Sequence, residues 1–171
     1  MVELPFVIER FRHNAQAIAA LVAGVGQDQA RWKPDPDQWS ILEVINHLYD
    51  EEREDFRTRL DLTLHQPETP WPPIDPQGWV VSRDYNSRDL ADSLAAFQRE
   101  REASLAWLAG LKSPDWTISY RHPAGFTLGA GDLLFSWLAH DALHMRQFAE
   151  LHYQYNQRLA APYNVAYAGE F

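Results

Sequence analysis

His140 and His144 stand four residues apart in WLAHDALHMRQFAEL, residues 137 to 151. That spacing sets both imidazoles on one side of a helix. At about 100° per residue, Leu133, Trp137, His140, His144, Gln147, Phe148 and Leu151 share one stripe, the stripe expected to face a core. A buried imidazole needs a partner for each ring nitrogen, so the pair demands hydrogen-bonding neighbours or a metal ion. The rings fall about 40° apart around the helix and one turn apart along it, close enough to share an ion with Zn–N bonds of ~2.1 Å. Seven histidines in 171 residues give about 0.3 such spacings by chance, so position carries more weight here than spacing.

A third candidate ligand, His47, comes from WSILEVINHLYDEERED, residues 39 to 55. On a helical wheel it sits about 60° beyond Val44, at the edge of an apolar face and aligned with Glu51 and Glu54 in a polar strip. That placement suits a ligand and equally a solvated edge residue. Glu51, one turn on, is a candidate general base, an acceptor for a ligand's N–H, a fourth ligand or a solvated acid. Gln147 lies on the histidine stripe, where it can contact a metal-bound water or satisfy a core neighbour.

The remaining histidines read differently. His13 points about 200° away from Phe11 and so outward, His65 lies at a helix C-terminus where it favours the dipole, and His122 falls in a Pro-Gly loop. His152, about 80° around the helix from His144 and two turns on, is not expected to reach the same ion.

Four helical segments must position these groups. The first runs over roughly 4 to 24, with Ile8, Phe11, Ala15, Ile18 and Val22 at helical spacing and glycines 24 and 26 closing it. The second starts at Ser40, an N-cap with Glu43 completing a capping box, and reaches about His65. The third spans about Ser87 to Gly110, and the fourth about 130 to 158. Between the second and third lies HQPETPWPPIDPQGWVVSRDY, whose prolines forbid a regular helix and whose length suits a crossover leaving those two helices parallel. Residues 111–129 form another long link, with a short hairpin around Pro123-Ala124-Gly125. The pattern predicts an all-α four-helix bundle with a long crossover between helices 2 and 3, residues 1–171 forming a single domain with an undefined tail at about 160–171. Within the bundle, Glu52 and Arg101 sit at the centres of apolar faces, which predicts a buried, hydrogen-bonded ion pair.

Composition narrows the function classes. A net charge of −9 without a Lys/Arg cluster argues against nucleic acid as a partner. Zero cysteines exclude disulfides, a Cys nucleophile and thiolate metal sites, leaving His, Asp and Glu as the strong ligands. Charges arrive too early in MVELPFVIERFRHN for a signal peptide, and no run is apolar enough to span a bilayer, so the expected location is cytoplasmic.

The run RWKPDPDQWSILEVINHL, with Trp32, Pro34, Trp39 and Ser40 ahead of His47, followed by WLAHDALHMRQF, resembles the DinB-like (YfiT-like) metalloenzyme superfamily over about residues 4 to 155. The resemblance implies a four-helix bundle holding a divalent metal by three histidines, matched here by His47, His140 and His144. Asp141 stands where the family usually has Glu. Three neutral imidazoles leave at least one coordination position open, the catalytic pattern for zinc, and the ion would acidify a water or a thiol or polarise a carbonyl. Zinc or nickel suits this ligand set best, with iron or manganese as alternatives. The implied activity on a small-molecule substrate is hydrolysis or transfer of a low-molecular-weight thiol. The alternatives are a metal-binding or stress-linked protein whose ion ties helix 2 to helix 4, and a bundle with satisfied core histidines and no metal. Family members are often homodimers, and Tyr163, Tyr167 and Phe171 in the tail could pack on the body or on a second copy.

Overall fold

A computed structural model describes residues 2–169, so Phe171 lies outside the described residues. The first long helix, α1, spans Leu4–Val22 and ends where Gly24 takes φ +76°, a left-handed conformation costly for a residue with a Cβ. A short α2, Gln27–Arg31, follows between the first two expected helices. Ser40 then starts α3, Ile41–Asp50. Its Oγ accepts from the Glu43 amide (3.1 Å) and its own amide donates to Glu43 Oε2 (2.8 Å), as the capping box predicts.

The expected second helix is continuous but not uniformly α. A π-helical stretch, Glu51–Phe56, joins α3 to α4, Arg57–His65. The crossover is also more ordered than its prolines suggested: Pro76 occupies the first turn of α5, Pro76–Ser82, where its missing N–H costs nothing, and Asp75 caps it by accepting from Gly78 N at 3.0 Å. Asp89 caps α6, Leu90–Gly110, by accepting from the Asp92 amide. The predicted hairpin pairs β1, Ser119–Arg121, with antiparallel β2, Thr127–Gly129, which leads straight into α7, Ala130–Ala160.

Cross-helix bonds fix the topology. Asn46 meets Ser93, Glu52 meets Arg101 and Asp61 meets Trp107, so α3–α4 and α6 run parallel, as the long crossover allows. Asn14 meets Asp141 and Leu21 meets His152, so α1 and α7 are also parallel. His47 lies against His140 while Glu52 lies against Trp137, which makes α3 antiparallel to α7.

The core has two apolar bodies. One gathers Ile18, Ile45, Leu48, Phe97 and Phe148; the other gathers Phe11, Leu60, Leu105, Leu133 and Trp137. Between them each long helix contributes a buried polar residue. Arg101 makes paired bonds to Glu52 (2.8 and 2.9 Å) and to Asp141 (2.8 Å twice), and Asn14 donates to Asp141 at 3.1 Å. The Glu52–Arg101 pair is therefore present, and Asp141 is its third member. Trp137 Nε1 donates to Glu52 Oε2 (3.0 Å), and the guanidinium lies over the Phe11 ring, 4.9 Å from its centroid. Desolvation alone would expel these charges, and the bidentate pairing offsets it.

At the C-terminus, Tyr163 and Tyr167 are exposed rather than packed on the body, and Tyr153 Oη donates to Gly169 O at 2.8 Å. No helix among the described residues is long and apolar enough to cross a membrane.

Candidate metal centre

His47 projects from α3 between the capping box and the π-stretch, and His140 and His144 project from consecutive turns of α7. The antiparallel packing of α3 on α7 brings the three rings together. His140 Nε2 lies 3.2 Å from His47 Nε2 and 3.0 Å from His144 Nε2, and one potential ligand atom from each residue falls within 4.8 Å of the others. His47 is buried, against its reading as a solvated edge residue, and the other two are half-buried.

Three imidazole nitrogens this close cannot all be satisfied by protons. Gln147 Oε1 lies 2.8 Å from His144 Nδ1, a position that takes the Nδ1 proton and leaves Nε2 as a bare lone pair. A proton on His140 Nε2 can serve one neighbour at a time, whereas a cation serves all three. Ligand nitrogens about 2.1 Å from one ion would stand about 3.4 Å apart in tetrahedral geometry and about 3.0 Å apart on one face of an octahedron. The observed separations of 3.0 and 3.2 Å fit that range. The donor set, three imidazoles with no thiolate available, suits a divalent metal ion. Burial, then the neighbouring histidines, pushes the His47 pKa far down; burial, His144 and Arg101 take His140 to about 3; and burial lowers His144. All three therefore present neutral rings, the form that ligates.

Aromatic rings hold the imidazoles in place. Trp39 lies parallel to His144 with centroids 6.5 Å apart and 4.8 Å from the His47 ring, and Phe56 packs 5.0 Å from His140. The neighbouring Asp141 points the other way, into the Arg101 network, so the shorter acid at this position anchors α7 and does not join the cluster.

The histidines open onto a cleft of about 650 Å³ that Trp39, Glu51, Gln77 and Gln147 also line. Glu51 is buried, so its reading as a solvated acid does not hold. It shares a hydrogen bond with Asp55, which in turn pairs with Arg59 at 2.8 Å, while Glu51 Oε1 has no partner. Burial and the adjacent Asp55 push its pKa up to about 8, so at neutral pH it retains a proton. Among the described residues the clustered ligand atoms come from the three histidines and not from Glu51, so an ion held there would keep a fourth position for water or substrate.

The wall formed by α5 is fixed by a buried acid the sequence reading missed. Asp50 accepts from Arg53 (2.9 Å), from Arg83 (2.7 Å) and from Tyr85 Oη, and Arg83 also forks onto Glu54 (2.8 and 2.9 Å). Asp50 directly precedes Glu51, and its burial gave no periodic signal because two of its partners, Arg83 and Tyr85, lie in the crossover.

The other histidines stay apart from the cluster. His13 and His65 are exposed, the latter 3.0 Å from Asp61 Oδ1. His122 is half-buried and stacks on Phe126 with centroids 4.4 Å apart. His152 bridges α1 and α2 through Leu21 O and Gln29 Nε2, so it is a packed linker between helices.

A search of curated proteins gives no match to the chain. Among solved structures, YfiT from Bacillus subtilis, described as a probable metal-dependent hydrolase with an unusual four-helix bundle topology, superposes with a TM-score of 0.80 at 19% identity, covering 91% of this chain and 90% of that one. At that identity the likeness is one of fold. A family model described as the DinB superfamily matches residues 10–148. With most of its length matched by that model, the chain belongs to the DinB superfamily.

Proposed function

We propose that the protein is a metal-dependent enzyme of hydrolytic type, with His47, His140 and His144 holding a divalent ion against a small-molecule substrate. The observation that carries this reading is the convergence of three neutral Nε2 atoms, 3.0 to 3.2 Å apart where adjacent, on an open cleft and not in a sealed core. An ion there supplies Lewis acidity toward water and carbonyl oxygens. The chain's own groups do the rest. Gln147 fixes the His144 ring through Nδ1 and so aims Nε2. Trp39 and Phe56 restrict the rings and exclude solvent from one side. Glu51 holds a proton on the cleft wall and can exchange it with a reacting group, with Arg59 stabilising the charge left behind. The open fourth position favours catalysis over a purely structural ion.

The cleft volume also favours a second reading, transfer of a low-molecular-weight thiol, since about 650 Å³ admits a second small reactant. One experiment separates the readings. Protein purified without a metal-affinity column is analysed for metals, then assayed on ester, amide and electrophile panels with and without added thiols. One equivalent of metal and metal-dependent turnover without thiol is the expected result; turnover only with thiol selects transfer, and a metal-free active protein overturns both.

A further inference from the structure

Two buried acceptors on the cleft wall lack a donor. Beside the histidines, Glu51 is 5% exposed and its Oε1 has no hydrogen-bond partner. Farther along α7, Gln154 donates its Nε2 to Glu150 Oε1 at 3.3 Å; a carboxylate only accepts, so the amide orientation is fixed and Gln154 Oε1 is left buried without a donor. Glu150 and Asp37 bring carboxylates to it, and among the described residues no Lys or Arg lines the cleft. The guanidiniums nearest Glu51 are already engaged, Arg53 by Asp50 and Glu54 and Arg59 by Asp55. An anionic head group would meet carboxylates here, whereas an ammonium brings three donors to sites that lack them. Glu150 and Gln154 lie six and ten residues beyond His144 on one helix, a rise of about 9 and 15 Å.

We propose that this cleft selects an elongated substrate with a protonated amine at its far end, seated on Glu150 and Gln154 while its reacting group lies between Glu51 and the three histidines. The inference rests on the metal reading of those histidines. It makes the substrate an amino-terminated amide or ester, and it disfavours carboxylate-rich molecules, acidic thiols among them.

Three hydroxamates with one metal-anchoring group test it on zinc-loaded protein at low ionic strength: 6-aminohexanohydroxamate, hexanohydroxamate and the adipic monohydroxamate. The ammonium tail should bind about tenfold tighter than the neutral one, and the carboxylate tail weaker than either. In the Glu150→Gln, Gln154→Met double variant the ammonium advantage should fall to near unity, with metal content and hexanohydroxamate affinity unchanged. Equal affinities for all three, a preferred carboxylate tail, or a preference that survives the double variant would overturn the proposal. Hexanohydroxamate binding that is lost in His140→Ala reports the metal reading separately, and failure of all three probes on wild-type protein sinks both.

Discussion

At the residue scale, the three Nε2 atoms act as one donor set, and their loss should be all or nothing. Replacing His47, His140 or His144 by Ala leaves two protein ligands to compete with water, so metal content should fall by orders of magnitude in each case, with no further loss in double variants. His13→Ala, His65→Ala and His122→Ala should keep full occupancy, since none of these rings joins the cluster. Stoichiometry across the panel under one purification decides it, and a loaded His47→Ala would remove α3 from the site. Glu51→Gln should retain metal and lose turnover, because the carboxylate faces the cleft without being a clustered ligand atom. The buried rings also make the metal-free protein acid-sensitive. Their folded-state pKa values lie below the ordinary 6.5, so the unfolded chain takes up protons the fold refuses, and the stability present above pH 6.5 is lost as pH falls toward about 3. Each imidazole contributes at most about 1.4 kcal/mol per pH unit in that window. Glu51, raised from 4.5 to about 8, works in the opposite direction, holding a proton in the fold that the unfolded chain gives up. With three rings set against the Glu51–Asp55 pair, urea unfolding of metal-free protein should show lower stability at pH 5 than at pH 7, and His140→Ala should shrink the difference. A flat profile would contradict this.

At the scale of elements, the network that joins the helices sets the next expectation. Arg101→Met leaves Glu52 and Asp141 buried without their cation and should cost about 3–5 kcal/mol in urea unfolding, whereas adding Glu52→Gln and Asp141→Asn should recover part of it. A loss under about 1 kcal/mol would mean that the carboxylates find other partners or take up protons cheaply. Half of this network was legible beforehand: Glu52 and Arg101 interrupt apolar faces at mid-helix, and periodicity exposes such interruptions. Asp141 was read only as a departure from a family pattern, because its partners are on α6 and α1, far away in sequence. The Ser40 capping box and the His140–His144 stripe were legible for the same local reason. The π-stretch at Glu51–Phe56 was not, since widening a turn by one residue leaves no mark in composition and is stabilised by what the helix packs on. Helices α2 and α5 are too short to show a period, and Pro76 reads as a breaker until its place in the first turn is known.

For the whole molecule, a bound ion ties α3 to α7 and should add to global stability. Binding to the native state alone contributes about 2.7 kcal/mol at a hundredfold excess over Kd, so a chelator should lower the Tm of loaded protein by several degrees, and zinc or nickel should restore it. Identical melting curves would show that the ion does not bind the fold preferentially. The polar slab of Asn14, Glu52, Arg101 and Asp141 has a consequence of another kind. A bundle filled with interchangeable aliphatic side chains can trade one alignment of its helices for another at little cost. Here a slip of α6 by one turn, about 5.4 Å, would drive a guanidinium into hydrocarbon and strand two carboxylates. The slab thus works as an index mark shared by all four long helices. The height at which His47 meets His140 and His144 is set by that mark, and so by charges that never touch the cleft.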